Sequence, residues 1–437
     1  MISSRNWQQY YKNRLTGSEE ALKKINPGSR VVLGHCIGEP IGLVEAMVKN
    51  RDWFSDIEIV HMVAMGKSQY TLPGMQGYFK HNSFFVGACT RDSVFNGSAD
   101  YTPCFFYEVP KVFRSKEFKL DVALVQVTPP DKFGYVSLGV SADYTVAAVE
   151  QADIVIAQVN ENMPKTYGDT YIHISEIDWF VEITEPLIEL IPSKITEIEK
   201  RIGENCASLI ENGSTLQLGI GSIPDAVLLF LGDKNDLGIH SEMLSDGVVG
   251  LIEKGIVNNR CKTLHRGKSI ISFLMGTKKL YDYVDNNNLI EMHVVDYVND
   301  PTVIMKNYKM VSINSCVQVD LTGQVASESI GLLQISGVGG QVDFVRGASM
   351  AIDGKSIIAI PSTAAGGKIS KIVPFLDQGT AVTTSRNDVD YIITEYGIAH
   401  LKWKTLRQRA KLLIDIAHPD FQPMLIEEYE KRFKQKY

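Results

Sequence analysis

The chain has 437 residues, 44% of them hydrophobic and 22% charged, proportions of ordinary globular domains and not of disordered or collagen-like chains. Its length corresponds to about two to four domains at roughly 100–200 residues each. The formal charge is −7, from 44 Lys and Arg against 51 Asp and Glu, which excludes a broad basic face for nucleic acid and leaves any anionic ligand to local donors.

The first residues, MISSRNWQQYYKNRL, carry no apolar core after their basic positions, so no export signal is expected there. Further on, the densest apolar runs, such as AVLLFLG at 226–232, fall far short of the ~20 residues a spanning helix needs. The six cysteines, Cys36, Cys89, Cys104, Cys206, Cys261 and Cys316, form no C-x-x-C pair. They read as reduced, mostly buried thiols of a cytoplasmic protein.

A helical segment, EEALKKI at 19–25, precedes GSRVVLGHCIGEPIGLVEAM at 28–47. That stretch predicts a strand ending in a glycine loop, then a proline and an apolar helix. DIEIVHMVAMG at 56–66 follows as a strand running into a loop, and DVALVQV and ADIVIAQV continue the series. The two prolines of EPLIELIPSK mark a junction near 185–195. The plan then repeats: CASLIEN at 206–212 as helix, GSTLQLGIGSIPDAVLLF at 213–230, and DLGIHSEMLSDG at 236–247. KSIISFLM, KSIIAIP and DYIITEY add further strands. Strands alternating with helices predict an α/β fold of two related open α/β domains, 1–188 and 189–437, with largely parallel sheets. An active site between the two, at the carboxyl ends of the strands, is the expectation for such sheets.

Three places offer chemistry. Gly219-Ile220-Gly221-Ser222-Ile223-Pro224 puts two glycines at a strand end, where backbone amides can approach an anion. Pro224 stands where a dinucleotide fingerprint needs its third glycine, which disfavours a nicotinamide site; a proline there suits the first helical position. Glu242 follows a short apolar strand in the second half, whereas the matching stretch of the first half, HMVAMG, has no carboxylate. Gly337, Gly339 and Gly340 imply close backbone approach, with Arg346, Lys368 and Lys371 beyond them as possible phosphate partners. The nine histidines show no paired metal-ligand spacing, and no nucleophile elbow or Walker loop occurs. His35 is set apart because it falls in the loop that matches Ile220.

Taken together, LQLGIGSIPDAV, LGIHSEMLSDG, SGVGGQVDFVRGAS, ISKIVPF and VDYIITEYGIAHL resemble the acetyl-CoA hydrolase/transferase family of coenzyme A transferases. The similarity runs nearly end to end and includes GHCIGEPIGLVEAMV, YGDTYIHISEID and IAHPDF. The resemblance implies ping-pong exchange of CoA between an acyl-CoA, such as acetyl-CoA, and a short-chain carboxylate, with 4-hydroxybutyrate foremost and butyrate or acetate as alternatives. Glu242 would be the nucleophile that passes through a glutamyl-CoA thioester. The Ile220 and Gly340 amides would hold one oxyanion and the Asn314 side chain the other. Gly219, Gly221, Ser222, Ile223, Gly337, Gly339 and Lys368 would complete the CoA-binding surface, Gln217 and His35 would line the acyl pocket, and Glu395 would be a supporting acid. The resemblance further implies no metal and no cofactor beyond CoA as substrate and covalent intermediate, no nucleic-acid or membrane partner, and a homodimer. Acyl-CoA hydrolysis by the same nucleophile, a non-catalytic CoA-binding protein and, more remotely, an NAD-linked oxidoreductase are the competing readings.

Overall fold

A computed structural model describes residues 7–437; residues 1–6, the start of the stretch read above for an export signal, lie outside the described residues. The chain folds as two compact units. One holds the residues up to Leu190 together with Ile270–Val298, and the other holds Ile191–Ser269 together with Asn299–Tyr437.

The first unit is built on seven strands: β1 Arg30–Leu33, β2 Ile57–His61, β3 Phe79–Ser83, β4 Ala99–Tyr101, β5 Val122–Val127, β6 Ile154–Val159 and β7 Trp179–Glu182. Their order is β7-β6-β5-β1-β2-β3-β4, and every pair is parallel. All six residues of β5 are buried, as a parallel strand covered on both faces requires. Val31, Leu33, Ile57, Ile59, Leu124 and Ile156 form one cluster with Leu43 and Met47 of helix α1, Ile41–Lys49.

The second unit repeats the scheme with β8 Thr215–Leu218, β9 Gly238–Ile239, β10 Met310–Ser315, β11 Lys355–Ala359, β12 Tyr391–Thr394 and β13 Gly397–His400. The order is β9-β8-β10-β11-β12-β13, parallel except for the last pair. In both sheets the chain passes from the first strand to one neighbour and later returns on its other side. That reversal opens a crevice at the carboxyl ends of the strands, where ligands bind in open α/β sheets. In this unit it lies beyond β8 and β10.

Two expectations about organisation are corrected. Residues 270–298 belong to the first unit, against a continuous division at 188/189, because backbone bonds tie them there. The Ala142 and Asp143 amides donate to the Ser272 carbonyl, Val295 N donates to the Asp143 carbonyl, and Glu291 and Met292 pair with Tyr167 and Gly168. Of CASLIEN, only Cys206–Ser208 are helical, as the end of a longer helix, α2 Glu197–Ser208, whose start is set by a capping box between Thr196 and Glu199. The cysteines divide evenly: Cys36, Cys206 and Cys316 are buried, Cys104 is half-buried, and Cys89 and Cys261 are exposed because both fall in turns. Among the described residues, no helix is long and apolar enough to cross a membrane.

Candidate active site

In the second unit, four of the parallel strands deliver predicted residues to the same edge. The loop after β8 holds Gly219, Ile220 and Gly221, then enters α3, Ser222–Leu229, through Ser222 and Ile223. Gly221 caps this helix at φ 105°, a left-handed conformation suited to glycine. Pro224 is the third residue of α3 rather than the first. The correction costs nothing physically, because the first four helical amides have no intrahelical partner. Ile220 is 41% exposed.

Glu242 follows β9 and is half-buried. Its loop is tied to the first one by Ser241, whose hydroxyl accepts from Leu218 N at 3.3 Å and donates to the Leu218 carbonyl at 3.2 Å. The carboxylate is held by Asn299, whose Nδ2 donates to Glu242 Oε2 at 2.7 Å. The same amide nitrogen lies 3.4 Å from Asp343 Oδ2. Two carboxylates facing one amide group dictate that nitrogen, not oxygen, points toward them. Asn299 is fully buried, and nothing in its local sequence marks it. The legible neighbour is Asp300, which caps a short helix by accepting from Thr302 N.

Gly340 closes the site from the other side. It precedes helix α4, Gln341–Met350, at φ −91°, a backbone any residue adopts. Glycine is needed instead for close approach: a Cβ there would collide with Glu242 Oε2 and Asn299 Nδ2 and stand 3.0 Å from Glu242 Cδ. The amino end of α4 thus abuts the carboxylate, where its dipole favours negative charge. Gly337 and Gly339 are buried in the loop before it, Gly339 at φ 55°.

Across the β8–β10 crevice, Gln217 and Asn314 form a reciprocal amide pair. Asn314 Nδ2 donates to Gln217 Oε1 at 3.1 Å, and Gln217 Nε2 donates to Asn314 Oδ1 at 3.4 Å. Each amide keeps a second N–H for a ligand. Glu395, just past β12, accepts from Ser362 N at 2.9 Å and from Ser362 Oγ at 2.6 Å, which joins the loops beyond β11 and β12. Burial holds the Lys371 ammonium below its usual range, opposed by the charges of Cys316 and Glu395. Lys368 stands exposed at the tip of the hairpin Thr363–Ala364/Ile369–Ser370, so Lys371, not Lys368, is the lysine near Glu395.

His35 belongs to the first unit, in the loop between β1 and α1. It is 1% exposed, and its Nδ1 lies 2.8 Å from Asp143 Oδ2. Asp143, 108 residues away in sequence, also accepts from Ser141 Oγ at 2.5 Å, Tyr144 N at 2.6 Å and Thr145 Oγ1 at 3.3 Å. Sequence reasoning picked out His35 but neither Asp143 nor Asn299.

Comparison with known proteins places the chain in a family. Residues 1–192 match the acetyl-CoA hydrolase/transferase N-terminal domain, and residues 276–429 match the corresponding C-terminal domain. The chain is 64% identical to a 4-hydroxybutyrate coenzyme A transferase of Clostridium kluyveri over 98% of its own length and 100% of that protein's. It superposes on the crystal structure of 4-hydroxybutyrate CoA-transferase from Porphyromonas gingivalis with a TM-score of 0.85, at 46% identity over 98% of this chain and 100% of the other. RipA from Yersinia pestis gives a TM-score of 0.93 at 37% identity, over 98% and 99% of the two chains.

Proposed function

This chain belongs to the acetyl-CoA hydrolase/transferase family and is a CoA-transferase, and we propose that it exchanges CoA between acetyl-CoA and 4-hydroxybutyrate through Glu242. The observation that carries the reading is the Glu242 carboxylate, fixed at the carboxyl edge of the sheet by Asn299 and given room by Gly340.

The carboxylate attacks the thioester carbonyl, the C–S bond breaks, and a mixed anhydride and CoA thiolate result. The thiolate then attacks the Glu242 carbonyl, releasing the acyl carboxylate and leaving a glutamyl-CoA thioester. The acceptor carboxylate attacks that thioester, and the steps run in reverse. Each addition places negative charge on an oxygen, which preorganised donors stabilise without reorganising. The Ile220 and Gly340 amides serve one such oxyanion, and the spare N–H of Asn314 serves the other. Gly219, Gly221, Ser222, Ile223, Gly337 and Gly339 shape the approach of CoA, and Lys368 is placed to meet a phosphate. Gln217 is an acyl-pocket residue. Glu395 is a positioning residue that secures the Ser362 loop. Carboxylates and the one CoA thiolate carry the whole cycle, which calls for no metal or redox group. The enzyme acts as a cytoplasmic homodimer.

The test is a panel of carboxylates offered with acetyl-CoA. Ranking by kcat/KM for formation of the acceptor's CoA thioester should place 4-hydroxybutyrate first, with no net free thiol, because the CoA ends on the acceptor. Free thiol released in step with acetyl-CoA consumption would identify a hydrolase instead.

A further inference from the structure

We propose that Cys36 is a nucleophilic thiol, activated by His35 and Asp143, and the site at which small hydroperoxides modify this protein. The inference lies wholly within the first unit, and only its peroxide readout rests on the transferase reading.

Cys36 follows β1 at φ 50°, a left-handed conformation that non-glycine residues enter where the surroundings impose it. Its Sγ lies 3.1 Å from His35 Nε2, and the opposite ring nitrogen is 2.8 Å from the Asp143 carboxylate. Asp143 is fully buried yet accepts from three further donors, Ser141 Oγ, Tyr144 N and Thr145 Oγ1. Both of its oxygens are thus engaged by donors. An anion at Nδ1 keeps the proton on that nitrogen and turns the Nε2 lone pair toward the thiol. The result is a nucleophile, a base within reach, and a carboxylate orienting the base. The imidazole is further clamped by Phe106, Tyr144 and Phe273, with ring centroids 5.4, 5.4 and 4.7 Å away. His61 is the other titratable ring close enough to feel its charge.

The other two buried cysteines provide the contrast. Burial pushes Cys206 and Cys316 up to about 12, and no imidazole hydrogen bond offsets that at either thiol. Exposure does not separate the three, at 1% for Cys36, 0% for Cys206 and 8% for Cys316. In the proposed step, the Cys36 thiolate attacks one oxygen of the peroxide. The S–O bond forms, the O–O bond breaks, and the leaving hydroxide (alkoxide, from an alkyl hydroperoxide) takes the proton held by His35, giving a sulfenic acid and water or an alcohol. The new oxygen has no room in the 3.1 Å between sulfur and ring, so the imidazole must shift.

The experiment uses the reduced full-length chain, pulsed with iodoacetamide at pH 6.5 and 8.5 and mapped by peptide mass. Cys36 should label at least about tenfold faster than Cys206 and Cys316, with a rate that changes little between the two pH values. Labelling of Cys36 in step with those two thiols overturns the proposal, because an inert or unreachable thiol is no modification site. Asp143→Asn should slow Cys36 and restore an ordinary thiol's pH dependence. Should that variant fail to fold, the wild-type comparison among the three cysteines still decides. Hydrogen peroxide should lower the exchange rate of the wild type, reversibly with dithiothreitol, but leave Cys36→Ala at its own untreated rate. Equal peroxide sensitivity in Cys36→Ala also overturns the proposal.

Discussion

Replacing Gly340 with alanine tests the site by a single added carbon. The backbone tolerates the change, since φ is −91°, and alanine in place of glycine at a helix cap costs about 1 kcal/mol. In the active geometry, however, the new Cβ would overlap Glu242 Oε2 and Asn299 Nδ2 and stand 3.0 Å from Glu242 Cδ. Carbon atoms normally rest about 3.5–4.0 Å apart, so the Cδ contact alone drives the carboxylate back by roughly 0.5–1 Å, and the closer overlap with Oε2 demands more. Misplacing a reacting group by about 1 Å costs on the order of 100-fold. Disturbing a charge-assisted hydrogen bond to Asn299 costs about 1.5–3 kcal/mol where it is lost outright. The variant should therefore lose about 100-fold in kcat for exchange between acetyl-CoA and 4-hydroxybutyrate while its melting temperature moves by only a few degrees. A kcat within about threefold of wild type would refute the claim that Glu242 must sit against the amino end of α4.

The other predictions act on neighbouring groups. Asn299→Ala should cost about 10- to 100-fold in kcat, measured by the same exchange assay; an unchanged rate would remove Asn299 from the site. Glu242→Asp withdraws the carboxylate by roughly 1.5 Å, which should sharply reduce transfer and let water reach the activated carbonyl. Formation of the acceptor's CoA thioester measures transfer and free thiol measures hydrolysis, and transfer without hydrolysis would count against water exclusion. Burial pushes the Glu39 carboxyl up to about 7 from its ordinary 4.5, opposed by the Gly66 and Met65 amides. A raised pKa favours the folded state while the group is protonated, so this contribution is complete below about pH 4.5. It is lost as pH rises through about 7, at up to about 1.4 kcal/mol per unit. Urea midpoints of Glu39→Gln should fall less than those of wild type between pH 5 and 7.5, and parallel curves would contradict the assignment.

Much of the fold is legible because local patterns produce it. The runs VALVQV and IVIAQV become buried parallel strands β5 and β6, and both Gly-rich loops end strands and lead into helices, as the repeated plan implies. What the pattern cannot carry is pairing at long range. Residues 270–298 look like a continuation of the second half, yet their backbone partners lie at 142–143 and 167–169. The site shows the same limit. Glu242 and the glycines emerge from motif order, but Asn299 meets Glu242 across 57 residues and Asp143 meets His35 across 108. A lone asparagine or aspartate in a loop has many uses, and only folding selects one. Gly340 illustrates what a motif leaves out: the motif points to its amide as a donor, and the structure adds that its missing side chain makes room for the nucleophile.

The central claim, covalent catalysis through Glu242, is tested most directly by mixing the enzyme with acetyl-CoA and no acceptor, quenching in acid and measuring intact mass. The account predicts an increase equal to the mass of CoA, confined after digestion to the peptide that contains Glu242 and absent in Glu242→Ala. No adduct, or an adduct that maps to a cysteine, would contradict it.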